Sequence, residues 1–356
     1  MMKKTVRIII VCILIIMIAG AITYKINTDP VSSDDTIVKF IVDSGDTYYS
    51  IASKLKESNL VKSELFYKLY IKMHNPENLQ AGKYPLTENM SLAEILTMFE
   101  TNATYNPDSI TITFPEGINM DRVTKIITNN TNNSAESVDA LLKDNDFLDE
   151  VISKFWFLPD EVKNKNLYYS LEGYLFPNTY EFSGRDVSVR DIFLTMLNET
   201  DKQLTPFKED IKKNSYSIHE LLTLASIVEL EAWNSEDREA VAGVFYNRLE
   251  SGWALGSCVT TYYASKVQMG ERDLYQSELN DYNDYNTRSS GMAGKLPIGP
   301  ICNPSIDSIK AVLYPTESDY YYFVSDKNKK LYFSETYAEH EKMISELQRQ
   351  GLWLEY

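Results

Sequence analysis

The chain has 356 residues, with 51 Asp and Glu against 35 Lys and Arg, a formal charge of −16 and a hydrophobic fraction of 44%. That length suits two or three domains with a substantial core, and the apolar content excludes a disordered chain. The acidic balance argues against nucleic acid as a partner, and three Cys without a CxxC pair exclude a disulfide-rich miniprotein and a zinc ribbon.

The charge is unevenly spread. Residues 1–25 hold Lys3, Lys4, Arg7 and Lys25 and no acid, which leaves 31 bases against 51 acids, a net of −20, in the other 331 residues. Ile8–Tyr24 (IIIVCILIIMIAGAITY) is a run of 17 residues without charge. As a helix it spans about 25 Å, and Thr5 and Val6 extend it toward the thickness of a bilayer core. Residues 5–24 are predicted to form a single transmembrane helix, the basic residues before it placing the N-terminus in the cytoplasm and the rest of the chain outside. A cleaved signal peptide is the competing reading, because Ala19-Gly20-Ala21 is an A-x-A-like site. Residues 1–26 are assigned to the cytoplasmic tip and anchor, and the polar stretch 27–37 to a linker.

A small module is predicted over residues 38–100. Ile37–Val42 alternates like a strand, Asp43–Asp46 is a turn, and Tyr48–Glu57 has helical spacing. Ser63–His74 reads as a second amphipathic helix facing inward through Leu65, Phe66, Leu69 and Met73. Leu79–Leu86 reads as a strand, and Ser91–Glu100 as a helix opened by the capping box Ser91…Glu94. Composition alone says small α+β domain; the order strand, helix, helix, strand resembles a LysM-type fold, which grips glycan strands.

Thr101–Ser109 is a second polar break, and 101–356 forms the remaining domain. Ile110–Phe114 reads as a strand, Pro115-Glu116-Gly117 as a turn, and 120–200 as mostly helical. Tyr168–Phe182 (YYSLEGYLFPNTYEF) crowds Tyr and Phe around Glu172 and Glu181, as either a buried aromatic corner or a binding face. Ser217 and Glu220 form a further capping box. It opens the helix LLTLASIVELEA, which is apolar on nearly every side and therefore buried. A following helix, capped by Asn234 or Ser235, ends at Gly252.

Glu229 and Glu231 lie in the last turn of that buried helix. A carboxyl there pays desolvation when ionised, which raises its pKa and suits it to general acid work near neutral pH. Two residues apart, the two carboxyls point about 200° from each other and cannot share a face. Glu229 lies over the small residues Ala225 and Ser226, which leaves room for a ligand. The plain alternative is that both carboxylates emerge at a helix end into solvent. His219-Glu220 lacks the second His of a zincin, the three His have no ligand spacing, and there is no G-x-S-x-G, Walker A or G-x-G-x-x-G. No metal or cofactor is expected.

Leu224–Glu231 (LASIVELE) followed by Val244–Leu249 (VFYNRL) resembles the catalytic region of the endolytic murein transglycosylases, the YceG-like (MltG) family. Other blocks agree in order: Phe40–Asp46, Leu79–Tyr84, Ile112–Gly117, Leu171–Phe182, Asp284–Thr287, Lys295–Pro304 and Tyr321–Val324. The resemblance implies an α+β chain with a transmembrane helix, a LysM-like subdomain and a larger mixed α/β catalytic domain. It implies cleavage of MurNAc–GlcNAc bonds in nascent peptidoglycan strands without water, giving 1,6-anhydroMurNAc ends and terminating glycan elongation. The first Glu of its E-x-E pair is the catalytic acid, which carries over to Glu229. Such an enzyme needs one carboxyl where ordinary glycosidases need two, because the sugar's own 6-hydroxyl is the nucleophile. Glu231, Asn247, Tyr285, Asn286 and Thr287 become candidates for the surrounding cleft, and penicillin-binding synthases become expected partners.

The pattern departs from the family at Ala254–Tyr262 (ALGSCVTTY), where Cys258 stands at a usual Asp, and at Leu296-Pro297-Ile298, where Leu-Pro-Pro is commoner. Cys258 and Cys302 fall in two loops of the resembled active site, outside the membrane, and a disulfide between them is expected. The rival to an enzyme is a non-catalytic wall-binding scaffold that keeps the fold; an intact Glu229 within LASIVELE favours the enzyme.

Overall fold

The computed structural model describes residues 2–43, 45–76, 79, 82–101 and 109–353, with backbone alone for residues 2–10, 13 and 101. The chain divides into two compact units, Met1–Ser109 and Ile110–Tyr356.

In the first unit, α1 (Met2–Thr28) takes the whole predicted anchor into one continuous helix. Among the described residues, no helix is long and apolar enough to cross a membrane. The predicted span 5–24 includes side chains, at 5–10 and 13, that lie outside the described residues. β1 (Val38–Val42) pairs antiparallel with β2 (Gly82–Leu86), Phe40 facing Tyr84 across the ladder. Gln80 and Ala81, in the predicted second strand, and Ser44, in the predicted turn, lie outside the described residues. α2 (Ala52–Glu57) and α3 (Glu64–His74) run between the strands, and α4 (Leu92–Thr101) follows them. The helix predicted from Tyr48 starts four residues later. The cap at Ser91 forms as predicted, Ser91 N donating to Glu94 Oε2 at 2.8 Å and Glu94 N to Ser91 Oγ at 3.4 Å.

Alternation along β1 buries Phe40 and Val42 and exposes Ile41. Their core closes on Phe99, whose ring meets Tyr84 edge-on at 4.9 Å and Phe40 at 6.0 Å. Along α3 the inward face differs from the prediction. Tyr67 and Ile71 are buried, while Leu65, Leu69 and Met73 are exposed. The larger, aromatic face went inward, since Tyr67 and Ile71 are also four apart on one side of the helix.

The second unit opens with β3 (Ile110–Thr113), paired antiparallel with β4 (Thr179–Phe182). Between them lie α5 (Met120–Asn130), α6 (Ala135–Leu142) and α7 (Asn145–Lys154). Residues 155–178, predicted within a mostly helical region, are irregular apart from a 3₁₀ turn at Asp160–Lys163. α8 (Val189–Leu204), α9 (Lys208–Lys213), α10 (Ile218–Glu231) and α11 (Ser235–Glu250) follow, then α12 (Cys258–Ala264), α13 (Gln276–Asn280) and α14 (Ile306–Leu313). The antiparallel pair β5 (Tyr322–Ser325) and β6 (Leu331–Ser334) precedes α15 (Tyr337–Arg349).

α10 is the buried axis of this unit. Its capping box at Ser217 and Glu220 forms as predicted, and every residue from Leu221 to Val228 is buried. α11, α12 and α14 pack around it. His219, near its start, is a structural residue: Nδ1 meets Tyr174 Oη at 2.7 Å and Nε2 meets the Ile298 carbonyl at 2.8 Å.

Asn303, just before α14, joins two distant segments. Its carbonyl accepts from Gly117 N, its N donates to Ile118 O, and its Oδ1 accepts from Gly173 N at 3.1 Å and Leu175 N at 3.0 Å. Gly173 has φ +84°, and a Cβ there would lie 2.3 Å from Pro300 Cβ. Gly173→Ala should therefore lower unfolding stability by about 2 kcal/mol or more, checked by urea denaturation.

Candidate active site

Glu229 sits at the C-terminal end of α10 with a side chain only 6% exposed. Its Oε2 accepts three hydrogen bonds: from Ser305 N at 2.9 Å, Ser305 Oγ at 2.5 Å and Ser308 Oγ at 2.6 Å. Ser305 is the N-cap of α14, so the carboxylate lies at the positive end of that helix. Arg238, on α11, donates from Nη2 to Oε1 at 3.2 Å. The predicted seat was apolar. The observed seat is polar, and its donors stabilise the ionised carboxyl where burial opposes it.

Oε2 is filled by these donors, which leaves Oε1 as the oxygen with capacity to spare among the described residues. On that side the chain passes closely at Gly117. A Cβ there would fall 3.5 Å from Glu229 Cγ and 3.3 Å from Leu230 Cδ2, and its φ of +72° favours glycine. Glu116, read from sequence only as part of a turn, belongs to the same electrostatic neighbourhood. Burial and then the charge of Glu229 push its carboxyl up, and Arg238 opposes them.

Two adjoining cavities lead away from Gly117. The nearer, of about 140 Å³, is lined by Gly117, Asn119, Arg122, Leu230 and Ile301 among others; Glu229 is not in its wall. The farther, of about 260 Å³, is lined chiefly by Tyr168, Tyr169, Tyr262, Tyr263, Lys125 and Lys266. Both share Asn119, Tyr262, Tyr263, Val267 and Gln268. The Tyr168–Phe182 segment divides between a cavity wall and the core. Tyr168 and Tyr169 face a cavity, while Tyr174 and Leu175 are core.

The other predicted site residues all make contacts within the fold. Glu231 accepts from Ser257 Oγ; burial pushes its carboxyl up, and Ser257, Arg248 and Arg288 oppose that. Asn247 donates to the carbonyls of Ser318 at 2.7 Å and Tyr320 at 2.9 Å, clasping the chain before β5. Tyr285 is buried, packs on Tyr168 and Tyr263, and accepts from Tyr168 N. Asn286 accepts from Thr261 Oγ1 and donates to the carbonyls of Glu278, Leu279 and Asp281. Thr287 accepts from Ser257 N and meets Thr260 Oγ1 at 2.8 Å. Tyr285, Asn286 and Thr287 are buried, Glu231 and Asn247 half-buried, and each bonds within the fold.

The expected Cys258–Cys302 disulfide is absent: both thiols are free. Cys302 is buried and donates to the Ser226 carbonyl at 3.3 Å, while Cys258 is exposed, its Sγ 3.2 Å from Arg288 Nη1. The two sulfurs are committed to different neighbours.

The YceG-like family profile matches residues 40–346. The chain belongs to the YceG-like family. An endolytic murein transglycosylase of Bacillus subtilis (strain 168) is 37% identical over 333 residues, which cover 92% of this chain and 90% of the relative. One of Streptococcus pneumoniae serotype 2 is 31% identical over 322 residues, 86% of this chain and 57% of the relative. The crystal structure of a YceG-like protein from Listeria monocytogenes superposes with a TM-score of 0.61 at 31% identity, covering 86% of this chain and 99% of that one.

Within this YceG-like chain, sequence reasoning missed Arg238, Ser305 and Ser308. Their signal was faint. Ser305 and Ser308 have the spacing of a helix cap just after the block Lys295–Pro304, which marks a helix N-terminus but not its target.

Glu172 is a second buried carboxyl beside the cavities. Its Oε2 accepts from Met120 N at 2.9 Å and Tyr263 Oη at 3.0 Å, and Oε1 has no hydrogen-bond partner among the described residues. Burial pushes its pKa up to about 8, against those two bonds. Between pH 4.5 and about 8 the unfolded chain releases a proton that the folded chain keeps, so this group's contribution to stability falls as pH rises across that window. Glu172→Gln keeps an acceptor for Met120 and Tyr263 but cannot titrate. Melting curves at pH 5 and pH 8 should show the variant gaining on the wild type at the higher pH.

Proposed function

We infer that the chain is an endolytic murein transglycosylase, a lyase that cleaves MurNAc–GlcNAc bonds in nascent glycan strands without water, leaves 1,6-anhydroMurNAc ends and so terminates elongation. The observation that carries the assignment to a residue is the seat of Glu229. A buried carboxyl in a chain of the YceG-like family is held by a helix N-terminus and an arginine, and it abuts Gly117, which with Leu230 lines the nearer of the two cavities.

We assign the acid and the base to Glu229 Oε1. Protonated, it gives its proton to the glycosidic oxygen as the bond from that oxygen to the MurNAc anomeric carbon breaks. The carboxylate left behind accepts the proton of the sugar's 6-hydroxyl as O6 closes on the same carbon. One bond breaks, one forms, and Glu229 ends protonated as it began. Ser305, Ser308 and Arg238 stabilise the carboxylate that appears midway, which is where stabilisation accelerates the step. Tyrosine faces in the cavities suit sugar rings.

Four finer proposals come from the sequence. Residues 5–24 anchor the protein in the cell membrane with the catalytic unit outside, supported by the uncharged run and its continuous helix. Residues 38–100 act as a LysM-like glycan-binding module and 101–356 as the catalytic domain, supported by strand, two helices and strand in that order. Penicillin-binding synthases are the proposed partners. No metal or cofactor takes part in the proposed step.

Glu229→Gln, made in the exported portion from residue 27 onward, should lower release of anhydro-ended products from uncrosslinked strands by about 10²–10⁴-fold. Persistence of that release at the wild-type rate would remove Glu229 from the mechanism.

A further inference from the structure

The larger cavity combines rigid walls with free cations. Each of its four tyrosines is fixed through its hydroxyl. Tyr168 Oη donates to the Ala264 carbonyl at 2.9 Å, Tyr169 Oη to Asp121 Oδ1 at 2.5 Å, Tyr262 Oη to the Arg272 carbonyl at 3.3 Å, and Tyr263 Oη to Glu172. Tyr168 and Tyr263 also stack, with ring centres 5.5 Å apart. Walls held this way lose little freedom when a ligand enters.

The charges at the rim are unequally engaged. Of the two acids, Asp121 is taken by Tyr169 and Glu271 accepts from Gln268 N. The cations lack such partners: among the described residues neither Lys125 nor Lys266 forms a salt bridge, and nor does Arg122 in the adjoining cavity. Lys266 has φ +54°, a left-handed conformation that costs a lysine strain and a glycine none, and its Nζ lies 4.6 Å over the Tyr168 ring. Asp121 and Glu271 keep their charge but each has an oxygen held by a neutral donor, whereas the two lysines, with no carboxylate partner among the described residues, can still pair with an anion on a body whose net charge is −20.

We propose that this cavity is a subsite for a carboxylate carried on the muramyl side chain, held by Lys125 and Lys266 while the tyrosines take the attached sugar or peptide. This rests on the transglycosylase reading above and adds to it which part of the substrate is recognised away from the cleaved bond. Two sources share the chemistry, the carboxylates of the stem peptide and the lactyl carboxylate of a strand without stems.

The test compares three substrates, each an uncrosslinked glycan strand. One bears native stems, one bears stems whose carboxylates have been amidated, and one has had its stems removed by an amidase and keeps only lactyl carboxylates. For the wild type, amidation should lower kcat/KM by roughly tenfold to a hundredfold. In the double variant Lys125→Ala, Lys266→Ala that difference should vanish, and in Lys125→Arg, Lys266→Arg it should persist. If the lysine-dependent preference extends to the amidase-treated strand, the freed lactyl carboxylate is held as well; if it is confined to native stems, the peptide carboxylates alone are held. A wild type indifferent to amidation, or a preference that survives the double alanine variant, would overturn the subsite. Absence of anhydro products from all three substrates would instead strike the transglycosylase assignment.

Discussion

Burying a carboxylate is costly unless its charge is met inside the protein, and at Glu229 that demand organises the second unit. The donors that meet it come from two helices besides its own: α14 brings Ser305 and Ser308, and α11 brings Arg238. For those atoms to converge, the N-terminus of α14 must abut the C-terminus of α10. Asn303, two residues before the cap, is where this is arranged. By bonding to Gly117, Ile118, Gly173 and Leu175 it ties the turn after β3 and the aromatic segment before β4 to the start of α14. Blocks up to 185 residues apart are thereby made into one wall around a single side chain.

The glycines at the contacts have the same origin. Gly173 passes Pro300 at a distance that leaves no room for a Cβ, Gly117 passes Glu229 and Leu230 closely, and both are in left-handed conformations. Around this wall the polar residues of α12 and the 283–289 loop form a closed hydrogen-bond frame. Asn286 alone ties its loop to three carbonyls at the end of α13. Such a frame holds a loop rigid without exposing a functional group, so residues of the type expected to touch sugars hold the residues that line the cavities.

What could be read from the sequence was what is local. The capping boxes at Ser91 and Ser217 and the burial of α10 from Leu221 to Val228 formed as predicted, and Asn234, one of the two residues offered, caps α11, because each depends on residues within one or two turns. The inward face of α3 did not follow, because Leu65, Leu69 and Met73 make as good a stripe as Tyr67 and Ile71 until a core selects one. The polar seat of Glu229 was not legible either. Its nearest serine is 76 residues downstream, and a helix cap says nothing of which carboxylate its helix will face. The blocks from Phe40 to Val324 pointed to the family and the profile match agrees, and the five cleft candidates inferred from it, Glu231, Asn247, Tyr285, Asn286 and Thr287, make hydrogen bonds within the fold.

The opposition between an acidic body and an acidic polymer is narrower than the net charge suggests. At physiological ionic strength the screening length is about 8 Å, so exposed acids far from the cavities contribute little force on a strand lying in them. Within that distance the balance is set by a few side chains, and there it turns on which of them are already engaged. Tyr169 and the amide of Gln268 occupy Asp121 and Glu271, while Ser305, Ser308 and Arg238 occupy Glu229. Neutral donors thus hold oxygens of the local acids Asp121 and Glu271 without cancelling their charge, while Lys125 and Lys266 beside them have no carboxylate partner among the described residues.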